Sequence, residues 1–151
     1  MNTEAVTEKW KKNVTCGILL HTPDGYLLCH PTGRKHKCGC YDIPKGMKED
    51  GETEWECATR ELREETGLTA DWESISVTDL GRHHYNEKKD IHLFHCEFPK
   101  VETNKLVCSS FVEELGIPET DGWAVTTDLG MCFKSLVRVF KECGIYKEEQ
   151  L

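Results

Sequence analysis

The segment GMKEDGETEWECATRELREETGL, residues 46–68, contains the strongest structural signal in this chain. Residues Glu52–Thr66 have helical periodicity, and Gly67 follows as a natural helix end because glycine accepts the left-handed conformation there. Thr53 can cap the first turn, and Glu56, three residues later, completes a capping box. The segment therefore predicts one amphipathic helix with a defined start and end.

Three glutamates share one face of this predicted helix. On a helical wheel of about 100° per residue with Glu61 at zero, Glu64 lies at about −60° and Glu65 at about +40°. Arg60 lies at about −100°, on the far flank of these carboxylates. An apolar stripe at about +60° to +120° adjoins the other flank and consists of Trp55, Ala58 and Leu62. The carboxylates thus lie beside the predicted sheet contact and not opposite it.

Wheel geometry alone leaves two interpretations of this acidic face open. A solvated face with surface salt bridges is common in glutamate-rich helices. A metal site is the alternative, because like charges within one helical turn repel each other. A hard divalent cation would relieve that repulsion, since its usual ligands are carboxylate oxygens, waters and substrate phosphates.

The same segment resembles the Nudix box, G-x5-E-x7-R-E-U-x-E-E-x-G-U, where U is a bulky aliphatic residue. Every specified position is filled here, by Gly46, Glu52, Arg60, Glu61, Leu62, Glu64, Glu65, Gly67 and Leu68. Ordinary residue frequencies give a chance match at a given start a probability on the order of 10⁻⁹. The resemblance implies a Nudix hydrolase, which uses Mg²⁺ to hydrolyse the diphosphate linkage of nucleoside diphosphate-linked substrates.

The resemblance also implies a set of metal ligands. Glu61, Glu64 and Glu65 would bind Mg²⁺, which Mn²⁺ can replace, and the carbonyl of Gly46 would join the coordination shell. The general base would be one of these glutamates or a carboxylate outside the box. Many family members contribute such a carboxylate from a late loop, and Glu119 is the best candidate for it here. The competing candidates are Glu113 and Glu114. Each of these acids could instead be an exposed loop residue.

Other residues of the box are implied to have supporting roles. Arg60 and Glu52 would form an ion pair that orients the helix and the catalytic glutamates. Gly46 and Gly67 would be required by the backbone conformation at their positions.

Residues around the box bear on the substrate. Pro44-Lys45-Gly46 resembles the sequence found here in dinucleoside-polyphosphate and cap-hydrolysing members, whereas nucleotide-sanitising members have Pro-Gly-Gly. Lys45 could contact a phosphate, the basic loop Arg34–Lys37 could neutralise distal phosphates, and Tyr85 could stack on a base. Lys45 could equally be a solvated turn residue, and Tyr85 a core or rim aromatic. We expect a small-molecule nucleotide substrate, first of all a dinucleoside polyphosphate.

Other functions stay open at this point. The next candidate is a nucleoside triphosphate pyrophosphohydrolase that cleans the nucleotide pool, followed by a nucleotide-sugar or ADP-ribose hydrolase. A catalytically silent Nudix-like ligand-binding module is the non-enzymatic alternative, since a fold does not fix a function. Such modules usually have broken metal ligands, whereas every ligand position of the box is intact here.

The remaining sequence predicts one domain, residues 1–151. Strand patterns fall at residues 13–22, 26–30, 41–44, 74–80, 91–98, 105–112 and 123–126, and a closing helix at 131–143. Pro23-Asp24-Gly25 is a turn between the first two strands, and Lys45-Gly46 is expected to end the third. The order β-β-β-α-β-β-β-α predicts an α/β/α sandwich around a mixed sheet.

Charge and hydropathy narrow the class of partners. The 151-residue chain has a net charge of −8, and an acidic chain repels DNA at long range. The basic run Lys9–Lys12 is expected to be a solvated terminal segment. No apolar run approaches the roughly 20 residues that cross a bilayer, and the N-terminus lacks the pattern of a secretory signal. We therefore expect a cytoplasmic enzyme, monomeric or homodimeric, that binds neither DNA nor membranes.

The cysteine count is high and odd. With nine cysteines and no export signal, the expected state is nine reduced thiols. Cys38-Gly39-Cys40 lies near His30 and His36, but its spacing departs from zinc-binding signatures. We interpret it as a loop that carries two thiols.

Overall fold

The computed structural model describes residues 12–147, so the prediction for Lys9–Lys12 lies outside the described residues except at Lys12. Eight strands occur in this part of the chain. They are β1 (Asn13–Thr22), β2 (Gly25–Pro31), β3 (Lys45–Met47), β4 (Ser76–His84), β5 (Lys89–Glu97), β6 (Phe111–Val112), β7 (Ile117–Pro118) and β8 (Thr120–Thr126). The helices described are α1 (Glu54–Thr66) and α2 (Lys134–Glu142), with 3₁₀ turns at Trp72–Ser74, Thr103–Lys105 and Leu129–Met131.

The central sheet is mixed, and its first two strands diverge. Its order is β4-β5-β1-β2-β8, with β3 on β1; β1 and β5 are parallel, whereas the other pairs are antiparallel. Strand β1 pairs with β2 at His21 and Thr22, beside the turn, and with β3 at residues 15–17. Because β1 and β2 separate beyond the turn, the segment between β2 and α1 enters the gap. Asp42 bridges to Cys29 of β2, and Lys45–Met47 then pairs with β1.

Alternation along the central strands supplies both faces of the sheet. Cys16, Ile18 and Leu20 of β1 pack in one buried cluster with Cys57, Ala58 and Leu62 of α1. Leu19 points to the other face, in a cluster with Leu136, Val139 and Phe140 of α2. Successive side chains of a strand point to opposite faces, so one apolar strand serves both helices. The predicted α/β/α sandwich around a mixed sheet is confirmed.

Helix α1 has the predicted caps. The Thr53 hydroxyl accepts a hydrogen bond from the Glu56 backbone N–H at 3.1 Å, and the Glu56 carboxylate accepts one from the Thr53 N–H at 3.0 Å. Gly67 ends the helix at φ 78°, where its N–H donates to the Arg63 carbonyl. The capping box starts the helix at Glu54, two residues later than the periodicity predicts.

The predicted strand at residues 105–112 is wrong over most of its length. Its first residue closes a 3₁₀ turn, and extended pairing is limited to Phe111–Val112. The backbone N–H of Val107 donates to the Thr66 carbonyl at 3.0 Å, and that of Ser109 to the Glu64 carbonyl at 2.7 Å. Carbonyls in the last turn of a helix lack partners within the helix, and here this segment supplies them. Its hydrogen bonds therefore go to α1 and not to a neighbouring strand.

Other predicted boundaries also differ from the structure. Lys45-Gly46 does not end the third strand but belongs to β3, which lies so close to β1 that a Cβ on Gly17 would come 2.8 Å from the Cβ of Lys45. The closing helix begins at Lys134 and not at Met131, because Leu129–Met131 forms a 3₁₀ turn.

All nine cysteines lie in the described part of the chain, and the structure has each of them as a free thiol, as expected. Among residues 12–147 there is no helix with the length and apolar character required to cross a membrane.

Candidate active site

Arg60 is the centre of a charge network on α1. Its Nε and Nη2 donate to the two carboxylate oxygens of Glu52 at 3.0 and 2.7 Å. Its Nη1 donates to Glu61 at 2.9 Å and to Glu64 at 3.1 Å, and Nη2 also donates to the Met47 carbonyl at 3.1 Å. The bidentate contact with Arg60 lowers the pKa of Glu52 to about 2. One guanidinium thus joins α1, β3 and the loop that precedes the helix.

The Glu61 carboxylate is buried against the backbone of Gly46. Only 8% of Glu61 is exposed, and burial raises its pKa although the charge of Arg60 opposes this. A Cβ built on Gly46 would overlap the Glu61 carboxylate. Gly46 does not have a positive φ angle, whereas Gly67 does. The expectation that backbone conformation requires both glycines is therefore confirmed for Gly67 and wrong for Gly46, where the requirement is space.

Glu65 is held by contacts with β3 and β8. Its Oε2 accepts a hydrogen bond from the Lys45 backbone N–H at 2.7 Å, and its own carbonyl accepts one from Trp123 Nε1 at 3.2 Å. Burial, with the nearby negative charges of Asp42 and Glu61, raises the pKa of Glu65 to about 9. A half-buried carboxylate with other carboxylates beside it favours either a proton or a cation.

A small cavity of about 200 Å³ opens beside Glu65. Its lining residues are Cys29, Pro31, Asp42, Lys45, Glu65, Glu119 and Thr120. Glu119, the carboxylate favoured outside the box, is thus placed at the same cavity as a box glutamate, at the junction of β7 and β8. Glu113 and Glu114 are exposed between β6 and β7, and neither belongs to this lining.

The residues expected to bind substrate are not all at this cavity. Lys45 lines it: its Nζ lies 3.1 Å from Asp42 Oδ2 and 5.7 Å from the centroid of the Tyr85 ring. Burial disfavours the charge of Lys45, but Asp42, Tyr85 and Glu65 together outweigh this and raise its pKa. The Tyr85 hydroxyl accepts a hydrogen bond from Ser135 Oγ at 3.2 Å, which ties Tyr85 to α2.

Arg34 lies over a ring that precedes α2. It is exposed, and its guanidinium carbon lies 5.7 Å from the centroid of the Phe133 ring, just before α2. Among the described residues that line the cavity, Arg34 is absent.

Asp42 is a site residue that the sequence analysis did not identify. It pairs with Lys45, lines the cavity and raises the pKa of Glu65. The available signal was its position three residues before Lys45, but that spacing marks a pair only when the local backbone is known. The bridge between Asp42 and Cys29 on β2 brings the carboxylate here, and no local pattern predicts that bridge.

Comparison with known proteins agrees with this geometry. A family model described as the NUDIX domain matches residues 11–114. The chain belongs to this family. The Nudix match contains β1 to β5, α1 and the whole box, while the cavity residue Glu119 lies beyond it.

Individual relatives of this Nudix chain are more distant. It is 36% identical over 55 residues to an RNA pyrophosphohydrolase of Erythrobacter litoralis (strain HTCC2594). That region is 36% of this chain and 34% of the relative, so the matched region spans about a third of the relative's length.

Solved structures resemble the Nudix chain over more of its length. A NUDIX hydrolase from Nitrosomonas europaea has a TM-score of 0.56 and 22% identity, covering 89% of this chain and 88% of its own. A C. elegans Ap4A hydrolase binary complex has a TM-score of 0.52 and 20% identity, covering 74% and 78%. At these identities the likeness shows the fold.

The contact between Gly46 and Glu61 gives a stability prediction. Gly46→Ala should lower the free energy of unfolding by about 1–3 kcal/mol, because the new methyl group must displace a buried carboxylate. Urea unfolding at neutral pH measures this cost. Gly122→Ala in β8 is the matched control, since its Cβ would meet its nearest atom, the Cβ of His30, at 4.0 Å.

A double-mutant cycle assigns that cost to the pair. In a Glu61→Ala background the penalty of Gly46→Ala should shrink, because the clashing carboxylate is gone. An equal penalty in both backgrounds would show that Gly46 is constrained by something other than Glu61.

The pair of Glu52 and Arg60 predicts a pH-dependent contribution to stability. The folded pKa of Glu52 is lowered from 4.5 to about 2, so its contribution is complete above pH 4.5 and disappears as the pH falls toward 2. Glu52→Gln should therefore be less stable than the wild type at pH 7, and the difference should narrow between pH 4.5 and 3. Denaturant unfolding at each pH measures it. Exposed Glu73→Gln is the control, and a difference that stays constant down to pH 3 would contradict the prediction.

Proposed function

We propose that this Nudix chain is a pyrophosphohydrolase that cleaves the diphosphate linkage of nucleoside diphosphate-linked substrates with Mg²⁺. The observation that carries the proposal is the gathering of Glu61, Glu64 and Glu65 around Arg60 and Gly46, beside a cavity. Arg60 holds Glu61 and Glu64, whereas Glu65 accepts a hydrogen bond from the Lys45 backbone N–H and lines the cavity.

The chemistry of the donor set fits Mg²⁺. The atoms offered are carboxylate oxygens from the three box glutamates and from Glu119, and the carbonyl oxygen of Gly46. Hard divalent cations prefer such oxygen ligands. The Gly46 carbonyl accepts a 3.4 Å hydrogen bond from Cys57 Sγ, which shows that this carbonyl oxygen faces α1. Removal from water raises the pKa of both Glu61 and Glu65, and a bound cation would offset this cost.

The protein residues would position the groups and accept the proton. When bound, Mg²⁺ neutralises charge on phosphate oxygens and makes water more acidic. Arg60 fixes the orientation of Glu61 and Glu64 through its Nη1, so both carboxylates are preorganised. The proton of the attacking water passes to a carboxylate that faces the cavity, and Glu65 and Glu119 have that position.

Lys45 supplies a positive charge beside this cavity. Its ammonium is held by Asp42 and lies near the Tyr85 ring, so it is oriented before a substrate binds. A phosphate placed in the cavity would share the ammonium with Asp42. This position supports a role for Lys45 in binding phosphate, because an anionic group needs a local positive charge in an otherwise acidic protein.

We infer that a dinucleoside polyphosphate is the preferred substrate. The Pro44-Lys45-Gly46 sequence, with Lys45 at the cavity, supports this choice, and so does the likeness to a protein named Ap4A hydrolase. The position of Arg34 over Phe133 leaves it available for the distal part of a long substrate. The relative named RNA pyrophosphohydrolase favours a second candidate, removal of pyrophosphate from RNA. The net charge of −8 disfavours a long nucleic acid.

Loss of a metal-binding carboxylate should abolish turnover without unfolding the protein. Glu64→Gln and Glu65→Gln should each lower kcat by orders of magnitude at saturating Mg²⁺, because the amide cannot supply the anionic oxygen. The amide oxygen can still accept from Arg60 or from the Lys45 N–H, so the fold should persist. Product release measured by chromatography, with circular dichroism of each variant, tests this. Glu54→Gln, in the first turn of the same helix, is the control. Near wild-type turnover in either site variant would refute the metal assignment.

Substrate preference is tested by competition between nucleotide classes. We expect kcat/KM to be higher for diadenosine tri- or tetraphosphate than for any deoxynucleoside triphosphate at equal Mg²⁺, since this ratio reports discrimination. A short RNA with a 5′-triphosphate belongs in the same series. A preference of about tenfold or more for a nucleoside triphosphate, which corresponds to about 1.4 kcal/mol, would favour the nucleotide-pool alternative.

A further inference from the structure

A second group of metal-ligating side chains lies at the far end of β1 from the box. His21 is the penultimate residue of β1, while His95 and Glu97 are near the end of β5. The two strands are parallel, and His21 is directly opposite Glu97 in the register. His95 precedes Glu97 by two residues, so both side chains are on the same face of the sheet. At about 3.3 Å per residue, His21 is about 13 Å along the strand from Gly17, where β3 pairs.

The donor atoms of this group lie close together. The Nδ1 atom of His21 lies 2.8 Å from Oε2 of Glu97, and the Nδ1 atom of His95 lies 3.8 Å from Oε1 of Glu97. All three ligand atoms lie within 4.8 Å of one another. In a tetrahedral zinc site with bonds of about 2.0–2.2 Å, donor atoms are about 3.4 Å apart. The observed distances bracket that value, so small side-chain adjustments would suffice.

We propose that His21, His95 and Glu97 bind one Zn²⁺ ion, with a fourth coordination position open to water. Two imidazole nitrogens and one carboxylate are a ligand set that zinc accepts. The same set disfavours Mg²⁺, which prefers oxygen ligands in octahedral geometry. The site is therefore chemically distinct from the carboxylate site on α1.

The three side chains are accessible to an ion, and their backbone positions are fixed before it binds. The side chains of His21, His95 and Glu97 are 34%, 17% and 48% exposed. Strand pairing sets the backbone positions of all three residues. Little conformational freedom is therefore lost when the ion binds. The contact of His95 with Glu97 is too long for a hydrogen bond, so this ring nitrogen is not tied to the carboxylate.

A simple ion pair explains less of this arrangement. One pair, His21 with Glu97, accounts for the 2.8 Å contact, but it gives no reason for a second imidazole nitrogen beside the same carboxylate. Exposed ion pairs also contribute little stability. Zinc would join β1 to β5 at the end of the sheet where β1 leaves for the turn.

A third group, formed by His30, His36 and Asp121, lacks this geometry. The His30 and His36 rings stack with centroids 3.5 Å apart and planes 13° apart. Ring lone pairs lie in the ring plane, so two nearly parallel stacked rings do not aim at one ion. The two nitrogens of His30 already face Asp121 and the Lys35 carbonyl.

Calorimetric titration of the full chain with Zn²⁺ tests the proposal, with saturating Mg²⁺ present to fill the carboxylate site. His95→Ala and Glu97→Gln should each weaken zinc binding at least about tenfold, since loss of even an outer partner of a ligand costs about 10–100-fold. His92→Ala is the matched control, because His92 is on the same strand but pairs with Asp79 at 2.7 Å. His36→Ala controls for the stacked group. Zinc should also raise the Tm of the wild type and of both controls.

A measurement on the wild-type protein covers the case in which a variant fails to fold. In long-range proton–nitrogen NMR spectra, zinc should shift the ring Nδ1 signals of His21 and His95 and leave those of His92 unchanged. Equal zinc affinity in wild type and His95→Ala, or shifts confined to the His30 and His36 rings, would overturn the proposal. Mg²⁺-dependent turnover should be the same in His95→Ala and the wild type, so failure of the hydrolase proposal would leave the zinc result intact.

Discussion

The guanidinium of Arg60 makes the acidic face of α1 compatible with a folded helix. Three carboxylates within little more than one turn repel one another, and two of them are largely removed from water. Arg60 contacts two of these carboxylates and is itself held by both oxygens of Glu52. A lysine could not replace it, because a single ammonium lacks the planar fork that bonds to several carboxylates at fixed angles.

The same guanidinium connects the helix to the strand beneath it. Its bond to the Met47 carbonyl reaches β3, whose own position depends on the divergence of β1 and β2. The segment that fills this gap carries three groups to the site: the Asp42 carboxylate, the Lys45 ammonium and the Gly46 carbonyl. Sheet topology and electrostatics therefore meet at one short segment. A displacement of β3 would move the Gly46 carbonyl and the Lys45 ammonium together.

Features with a local physical cause were predictable from the sequence. The caps of α1 follow from Thr53, Glu56 and Gly67, and the sandwich follows from strands whose alternate residues are all apolar. The common face of the box glutamates follows from helical spacing. In each case the interacting groups are close in sequence, or the pattern repeats along one element.

Features that depend on distant pairing were not predictable in this way. Gly46 is small because the Glu61 carboxylate occupies the space of a side chain, and residues 105–112 avoid strand pairing because the end of α1 takes their N–H groups. Asp42 reaches the cavity through a bridge to β2. Each of these facts requires knowledge of which elements lie side by side.

The exposed loop between β2 and Asp42 has a consequence for how this architecture can diversify. Residues 33–38 are exposed, and the bridge between Cys29 and Asp42 closes the base of the loop before the chain reaches Lys45. Insertions or deletions at the loop tip would leave the bridge, β3 and the helix carboxylates in place, because loops tolerate changes in length that paired strands do not. The proposed reaction centre and this exposed loop can thus change independently of each other. Selection can lengthen, recharge or shorten the loop to accept a new leaving group while the hydrolytic apparatus is inherited unchanged.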